Sequence, residues 1–203
     1  MLFTKFHFIF LSIVLMTGEP FLIKAQSSLN LVKWVIEKNS TLRVDGKSNV
    51  NSFTCNIDEY NANDTISLTN GSAMSIKLTG KIQMEIVSFN CHSRMITRDL
   101  RETLKASAYP KMTIRFLTLQ WMPSLRGEKE FIKGWVEVEV AGVVKRFELC
   151  YSFSNDGPGH IQLDGGRTFN FSDFKLSPPK KMAGLIKIKD AFDVNFQLIL
   201  RTV

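Results

Sequence analysis

Apolar and polar residues alternate along most of the chain from Trp34 onward, and this period of two predicts β-strands. The clearest alternation lies in "KGWVEVEVAG", where Val136 and Val138 would face one side of a sheet and Glu137 and Glu139 the other. The Ala-Gly pair that ends this segment predicts a tight turn into the next strand. Further strand-like segments are "STLRVDG", "NSFTCNI", "GKIQMEIVSF", "VVKRFELCYSF", "RTFNFSDF" and "GLIKIKDAFDVNFQLIL".

One segment departs from this pattern, because "RDLRETLKASAYP" has the spacing of a short helix. Leu100 and Leu104 are four residues apart and would share one helical face. Asp99 is expected to cap or charge the start of the helix. Pro110 disfavours the helical conformation at Tyr109, so the helix is expected to end before that residue. A strand follows, with Met112, Ile114 and Phe116 on one face.

The predicted strands indicate an all-β fold. Many strands with one apolar and one polar face, joined by short turns, are typical of an antiparallel sheet with one wet side. Such a sheet must close into a barrel or pack on a second sheet. In a barrel of eight strands the inward side chains either fill the interior or surround one ligand.

The first 25 residues predict a signal peptide, since Lys5 precedes the apolar run "FHFIFLSIVLM", which is short for a membrane span. Cleavage after Ala25 would leave residues 26–203 as one domain, with no transmembrane span. An uncleaved anchor is the alternative, because Ile23 is larger than the residue usually found before such a site.

Composition and charge narrow the class of protein only a little. A hydrophobic fraction of 44% and a charged fraction of 22% are typical of a globular domain. The net charge of +7 is spread along the chain without a dense basic run, so nucleic acid is not expected as a partner. Signal cleavage would remove only Lys5, Lys24 and Glu19, so the basicity belongs to the domain itself.

Three cysteines remain in the predicted mature chain, and an odd count in an oxidising compartment indicates one disulfide and one free thiol. Cys55 and Cys91 each follow a phenylalanine by two residues near the end of a strand-like run, so a bridge between them is plausible. Cys150 alternates with apolar neighbours and would point the other way. Three unpaired, buried cysteines are the alternative.

Catalytic and metal-binding patterns are weak in this sequence. The three histidines show no metal-ligand spacing, and there is no H-E-x-x-H, C-x-x-C, G-x-S-x-G or glycine-rich phosphate loop. Cys91 and His92 are adjacent, but adjacent strand residues point to opposite faces and would not form a nucleophile and its base. We therefore expect no enzyme activity, no catalytic residue, no metal and no cofactor. An unrecognised activity at Cys91 or Cys150 is the least favoured alternative.

Four segments, taken in order, resemble the YceI-like family of exported bacterial proteins over most of the chain from Trp34. They are "WVIEKNSTLRVDGKSNVNSF" with Ser40, "DLRETLKASAYPKMTIRF", "VEVAGVVKRFEL", and "FNFSDFKLSPP" followed by "GLIKIKDAFDVNFQLIL". The chain departs from the family at Lys175, where a glycine is common, and in the polar, Asn-rich region from Cys55 to Gly71.

The resemblance implies an antiparallel, lipocalin-like barrel of eight strands with a short helix near one opening. It also implies a periplasmic or extracellular protein that binds a polyisoprenoid, an isoprenoid quinone or a fatty acyl derivative inside the barrel. A structural or stress-response interaction domain with a packed interior is the alternative. A homodimer through the outer face of the barrel is also compatible with the sequence.

The candidate site follows from the inward faces of the strands and from the helix. Leu100 and Leu104 would make the helix a lid over the opening, and Arg98, Arg101 and Lys105 are candidates for contact with a polar head group. The side chains expected to line the barrel are Leu42, Val44, Phe53, Met84, Ile86, Leu100, Leu104, Ile114, Phe116, Val136, Val138, Phe147, Leu149, Tyr151, Phe153, Phe169, Phe171 and Phe196.

Overall fold

The computed structural model describes residues 31–71, 75–126, 129–181 and 185–203, so the predicted signal peptide lies outside the described residues. These ranges hold one α-helix, α1 (Arg94–Thr103), and two 3₁₀ turns, Ile86–Ser88 and Phe171–Phe174. The strands are β1 (Val32–Ile36), β2 (Thr41–Ser48), β3 (Ser52–Ile57), β4 (Thr65–Asn70), β5 (Ile76–Glu85), β6 (Lys111–Leu119), β7 (Glu130–Val140), β8 (Val143–Asn155), β9 (His160–Asn170), β10 (Lys180–Lys181) and β11 (Ile186–Thr202).

The sheet closes on itself through the long strand β11. One edge of β11 pairs with β9, and the other edge pairs with β2 and then with β1. β3 and β4 continue in the same way, because β3 pairs with β2 and β4 with β1. β1 and β2 together form one wall strand that is broken in the middle, and β3 and β4 together form the next one. The result is a closed antiparallel barrel of eight wall strands. The predicted fold class is confirmed.

The register keeps the predicted alternation. Val136 pairs with Phe147 and both are buried, whereas the next pair, Glu137 and Arg146, lies outward as an ion pair of 3.1 Å. The turn between β7 and β8 consists of Ala141 (φ 50°) and Gly142 (φ 76°), the left-handed geometry favoured in two-residue hairpins. Period-two alternation therefore identified the inner face of this hairpin correctly.

The two ends of the barrel differ. One end is closed by packed aromatic rings, with Trp34 5.8 Å from Phe153 and Phe153 6.2 Å from Tyr151 between ring centres. The other end carries α1, which connects β5 to β6, and the 3₁₀ turn after β9. The short helix therefore lies at one opening, as predicted.

The helix begins earlier than the sequence predicted. Its N-cap is Ser93, and Asp99 lies in the middle of the helix with only 8% of its surface exposed. Asp99 is therefore not the cap, and this prediction was wrong. "RMIT", without strong helix signals of its own, is helical because Ile96, four residues before Leu100, extends the apolar face of the helix.

Two strand predictions also need correction. β5 ends at Glu85, so Ile86 belongs to a 3₁₀ turn rather than to the strand. β9 ends at Asn170, and "FSDF" forms the second 3₁₀ turn. In that turn the Asp173 carboxylate accepts a hydrogen bond of 2.9 Å from the backbone N–H of Asn170, which stops the strand ladder.

Cys55 and Cys91 form a disulfide that fastens α1 to the wall. Cys55 lies on the inner face of β3, and Cys91 lies two residues before the helix N-cap. Backbone hydrogen bonds of 2.8 and 2.9 Å between Asn56 and Asn90 run beside the disulfide. The segment before α1 therefore seals the free edge of β3. Cys150 is free and exposed.

Candidate functional site

The inward side chains of the barrel leave a narrow apolar cavity of about 100 Å³. It lies between the aromatic end and α1, and all the long wall strands contribute to it. Most of the side chains predicted to line the barrel do line this cavity. These are Leu42, Val44, Met84, Leu100, Leu104, Ile114, Phe116, Val136, Val138, Leu149, Phe169, Phe171 and Phe196.

Three predicted lining residues lie inside the barrel but outside the cavity wall. Tyr151 and Phe153 belong to the aromatic layer that closes the far end. Phe147 lies behind Phe169, with ring centres 4.8 Å apart in an edge-on arrangement. These three rings pack behind the cavity wall and do not line the cavity.

Two further predictions placed residues on the lining that the structure puts elsewhere. Ile86 is fully buried in the 3₁₀ turn after β5, where the strand alternation no longer applies. The ring of Phe53 lies directly over Gly46, so a Cβ atom at Gly46 would come within 2.3 Å of it. Phe53 therefore fills the space that this glycine leaves on the inner face.

The polar groups on the cavity wall are few, and they are satisfied by other partners. The Tyr60 hydroxyl donates to the Asp64 carboxylate, and the Ser40 hydroxyl accepts from the Ile199 N–H at 3.0 Å. Arg167 donates to the Glu148 carbonyl at 3.0 Å. Apart from these residues and Thr41, the lining side chains are apolar, so the cavity favours apolar groups over polar ones.

Helix α1 covers the end of the cavity at which β5 ends and β6 begins. Leu100 and Leu104 both contact it, as their spacing predicted. The opposite side of α1 carries Arg98 and Glu102, an exposed i,i+4 pair at 3.7 Å. An amphipathic helix held at one end by the Cys55–Cys91 disulfide thus forms the cover of the opening.

The predicted head-group residues separate in the structure. Arg98 and Arg101 line a polar groove on the outer side of the helix, together with Arg94 and His92. Arg101 also donates to the backbone carbonyl of Val87 at 2.5 Å. Lys105 lies exposed in the turn after the helix, outside that groove.

The predicted lining omitted several residues that contact the cavity. Phe192, Val194 and Leu198 share one strand face with Phe196 by alternation, but only Phe196 was assigned to the lining. Tyr60, Phe89, Phe174 and Leu176 lie in loops and turns, where no periodicity points to the interior.

One buried hydroxyl is unusual. Tyr151 is 1% exposed, and its hydroxyl has no hydrogen-bond partner among the residues that the structure describes. Burial raises the pKa of this phenol far above its ordinary value. The pKa of Tyr60 is also raised, first by burial and then by its hydrogen bond to Asp64.

Reactive groups are sparse in the described ranges. These ranges contain no group of three or more His, Cys, Asp and Glu side chains able to hold a metal ion. Within the same ranges, no helix is long and apolar enough to cross a membrane. Cys91 is in a disulfide, so its thiol is not available as a nucleophile in this form.

Comparison by sequence finds no match to a family model or to a curated protein. By structure, the chain is similar to a polyisoprenoid binding domain from Saccharophagus degradans implicated in plant cell wall breakdown, with a TM-score of 0.62 and 15% identity over 84% of this chain and 98% of that one. It is similar to Burkholderia cenocepacia BcnA, with a TM-score of 0.52 and 15% identity over 79% and 95%. A mutant Campylobacter jejuni YceI protein gives a TM-score of 0.52 and 19% identity over 75% and 82%. The chain therefore has the YceI-like fold, which confirms the resemblance at the level of the fold.

Proposed function

We propose that this chain, which has the fold of the YceI proteins, is an exported, non-catalytic protein that binds a long apolar molecule inside its barrel. The observation that carries the proposal is the cavity, whose wall is almost wholly apolar and whose few polar groups are bonded elsewhere. The similarity to a solved polyisoprenoid binding domain supports the same class of ligand.

The ligand classes proposed are a polyisoprenoid, an isoprenoid quinone or a fatty acyl derivative. Burying apolar surface contributes about 0.8 kcal/mol for each CH₂ group, so a long chain binds without a polar anchor inside the barrel. The proposal includes no cofactor and no metal.

The size of the cavity requires movement for such a ligand. An engineered cavity of about 150 Å³ accepts benzene, and the cavity here is smaller, at about 100 Å³. A long chain must therefore displace side chains, and Leu100 and Leu104 on the helix are the ones that lie at the opening. The small volume is also the observation that favours the alternative, an interaction domain with a packed interior.

Export is part of the proposal for two reasons. The first 25 residues have the pattern of a signal peptide. The Cys55–Cys91 disulfide supports export, because disulfides are typical of oxidising compartments such as the periplasm or the extracellular space. Fractionation of the native host, with detection of the intact protein mass, tests both the location and the cleavage after Ala25.

Native mass spectrometry of protein purified from its own host tests ligand binding. We expect a reproducible added mass that organic extraction releases as a lipid. An apo mass that also stays unchanged after incubation with an isoprenoid quinone would support the packed interior instead.

A pair of variants locates the binding. Val194→Phe fills the cavity from β11, and Val144→Phe adds the same volume on the outer face of β8, where the side chain is 48% exposed. We expect the first variant to lose the added mass and the second to keep it. Equal retention by both would place the lipid outside the barrel.

A further inference from the structure

Two large aromatic side chains lie exposed on the outer face of the β7–β8 hairpin. Phe131 is 64% exposed and Trp135 is 43% exposed. Both point outward from β7, because Ile132, which follows Phe131, is fully buried and side chains alternate between the two faces of a strand. Lys133 lies between the two rings on the same outward face. Removing apolar surface of this size from water is favourable, so the two rings favour a partner that covers them.

The free thiol of Cys150 lies beside both rings. Cys150 on β8 pairs with Lys133, and the pairs that contain Phe131 and Trp135 are the next ones on this face in either direction. Diagonal neighbours on one face of an antiparallel pair are about 7–8 Å apart, which is within reach of an aromatic side chain. The thiol is exposed, although cysteine is among the residue types most often buried. Phe131, Cys150 and Trp135 therefore form one continuous apolar strip, the hairpin strip.

Trp121 and Met122 extend the hairpin strip beyond the end of β6. They are 46% and 38% exposed. The indole N–H of Trp121 donates to the Glu130 carboxylate at 2.9 Å, and the backbone N–H of Ser124 donates to the same carboxylate at 2.8 Å. These bonds hold the segment beside the start of β7, next to Phe131. A patch of several large apolar side chains exceeds the single exposed residues that are ordinary on a protein surface, and such patches mark interaction sites.

The charged side chains beside the hairpin strip are paired with each other. Lys133 contacts Glu148 at 3.8 Å, and Arg146 contacts Glu137 at 3.1 Å. Each pair holds one cation and one carboxylate, so these pairs are neutral although the whole chain carries a net charge of +7. An anionic membrane favours an excess of basic residues around exposed rings, which paired charges do not supply. Two copies of a basic protein repel each other, and this repulsion is smallest where a neutral face meets the same face of its copy.

We propose that the hairpin strip binds a second copy of this chain, in a two-fold dimer whose β7–β8 hairpins pack face to face. A two-fold axis through the row that joins Lys133 and Cys150 places Phe131 of one copy against Trp135 of the other, because the rings flank that row on its two sides. The same axis places Lys133 of each copy over β8 of the other, beside Glu148, so the charges are self-complementary. Aromatic side chains buried at the centre of an interface supply much of its binding energy.

The two Cys150 thiols also meet at the centre of this dimer. They stay reduced there, and apolar and ionic contacts alone hold the two copies together. Diamide takes two protons and two electrons from two neighbouring thiols, which joins them in a disulfide and converts diamide to its hydrazine form. Because Cys55 and Cys91 are already joined to each other, a covalent dimer made by diamide reports on Cys150 alone.

Sedimentation velocity of the mature, disulfide-bonded protein from about 1 to about 100 µM tests the dimer. We expect the mass to move from that of a monomer to that of a dimer across this range. Phe131→Thr/Trp135→Thr should raise the dissociation constant about tenfold or more, because it removes both rings and keeps residues that favour a strand. The matched control Val50→Thr/Met95→Gln removes two apolar side chains that are 63% and 57% exposed outside the hairpin, and it should dimerise like the unmodified protein.

Cross-linking locates the interface. Diamide should convert the unmodified protein to a covalent dimer on a non-reducing gel, and about tenfold less should form in Phe131→Thr/Trp135→Thr at the same concentration. Cys150→Ser should form none, because it removes the reporter thiol.

Three results would overturn the proposal. One is a monomer at every concentration, and another is a dimer that the ring substitutions leave unchanged, since its interface would lie elsewhere. The third is a monomer that binds phosphatidylglycerol vesicles and loses this binding in Phe131→Thr/Trp135→Thr, which would assign the hairpin strip to a membrane surface. Thermal melting verifies that each variant is folded, and Phe131→Thr alone replaces the double variant if that protein does not fold.

Discussion

The Ser40 hydroxyl accepts a hydrogen bond of 3.0 Å from the backbone N–H of Ile199, 159 residues further along the chain. This bond lies where β11 changes partner, because Gln197 pairs with β2 and Leu200 pairs with β1. The carbonyl of Ile199 accepts from the N–H of Glu37 at 2.8 Å. The break between β1 and β2 leaves the Ile199 N–H without a backbone acceptor in the ladder. The buried Ser40 hydroxyl takes the place of that acceptor.

We expect Ser40→Ala to lower the free energy of unfolding by about 1–3 kcal/mol, because it leaves the Ile199 N–H buried without a partner. Urea denaturation measures the change. Ser52→Ala, at an exposed position in β3, is the control and should stay within about 0.5 kcal/mol of the unmodified protein. Equal effects of the two substitutions would show that the Ser40 bond does not contribute to stability.

The disulfide closes a loop with a sequence separation of 36 residues. We expect Cys55→Ser/Cys91→Ser to lose about 2–4 kcal/mol, since the unfolded chain regains that loop's freedom. Cys150→Ser should be nearly neutral because this thiol is exposed. Alkylation of the denatured, unreduced protein should label Cys150 alone, and three labelled cysteines would reject the bridge.

Tyr151→Phe removes a buried hydroxyl that has no partner among the described residues, so we expect unfolding free energy to rise by up to about 1 kcal/mol. Tyr60→Phe is the contrasting variant, because it takes a donor from the Asp64 carboxylate and should lower stability by about 1–3 kcal/mol. Denaturation of both proteins at neutral pH makes the comparison. A loss of stability in both would mean that the Tyr151 hydroxyl is bonded in solution.

Alkaline pH should destabilise this protein through the same two tyrosines. Folding raises the pKa of Tyr60 and of Tyr151, so the folded state keeps two protons that the unfolded state releases above its ordinary tyrosine pKa of about 10. Stability is therefore unaffected by these groups below that pH and falls as pH rises above it. Denaturation midpoints measured from about pH 9 to about pH 11.5 give the slope of stability against pH. Tyr151→Phe should reduce the slope by about half, and an unchanged slope would contradict the assignment.

Lys175 adopts a left-handed backbone conformation, with φ at 54°, at the end of the 3₁₀ turn Phe171–Phe174. Glycine takes this conformation without the steric cost that a Cβ atom imposes, so Lys175→Gly should add about 0.5–1 kcal/mol of stability. Lys189→Gly, in the extended strand β11, should instead destabilise the protein. Thermal unfolding of the two variants distinguishes these outcomes, and destabilisation by both would refute the backbone explanation.

Much of the barrel wall was predictable because strand alternation is a local property. Leu42, Val44, Val136 and Val138 were assigned to the interior from period-two spacing alone, and all four line the cavity. The same rule failed at Ile86, because this residue lies in a 3₁₀ turn where side chains no longer alternate between two faces.

The sequence by itself determined the all-β class, the inner faces of the β7–β8 hairpin and the short helix with its two inward leucines. These features depend on the spacing of neighbouring residues. Only the tertiary structure decided that Ser40 bonds to Ile199, that Phe89 lines both the cavity and the polar groove beside α1, and that Arg94 and His92 belong to that groove. Each of these relationships joins residues through barrel closure or through the packing of a helix on a wall. No local pattern records them, because the distance between their side chains is set by the whole fold.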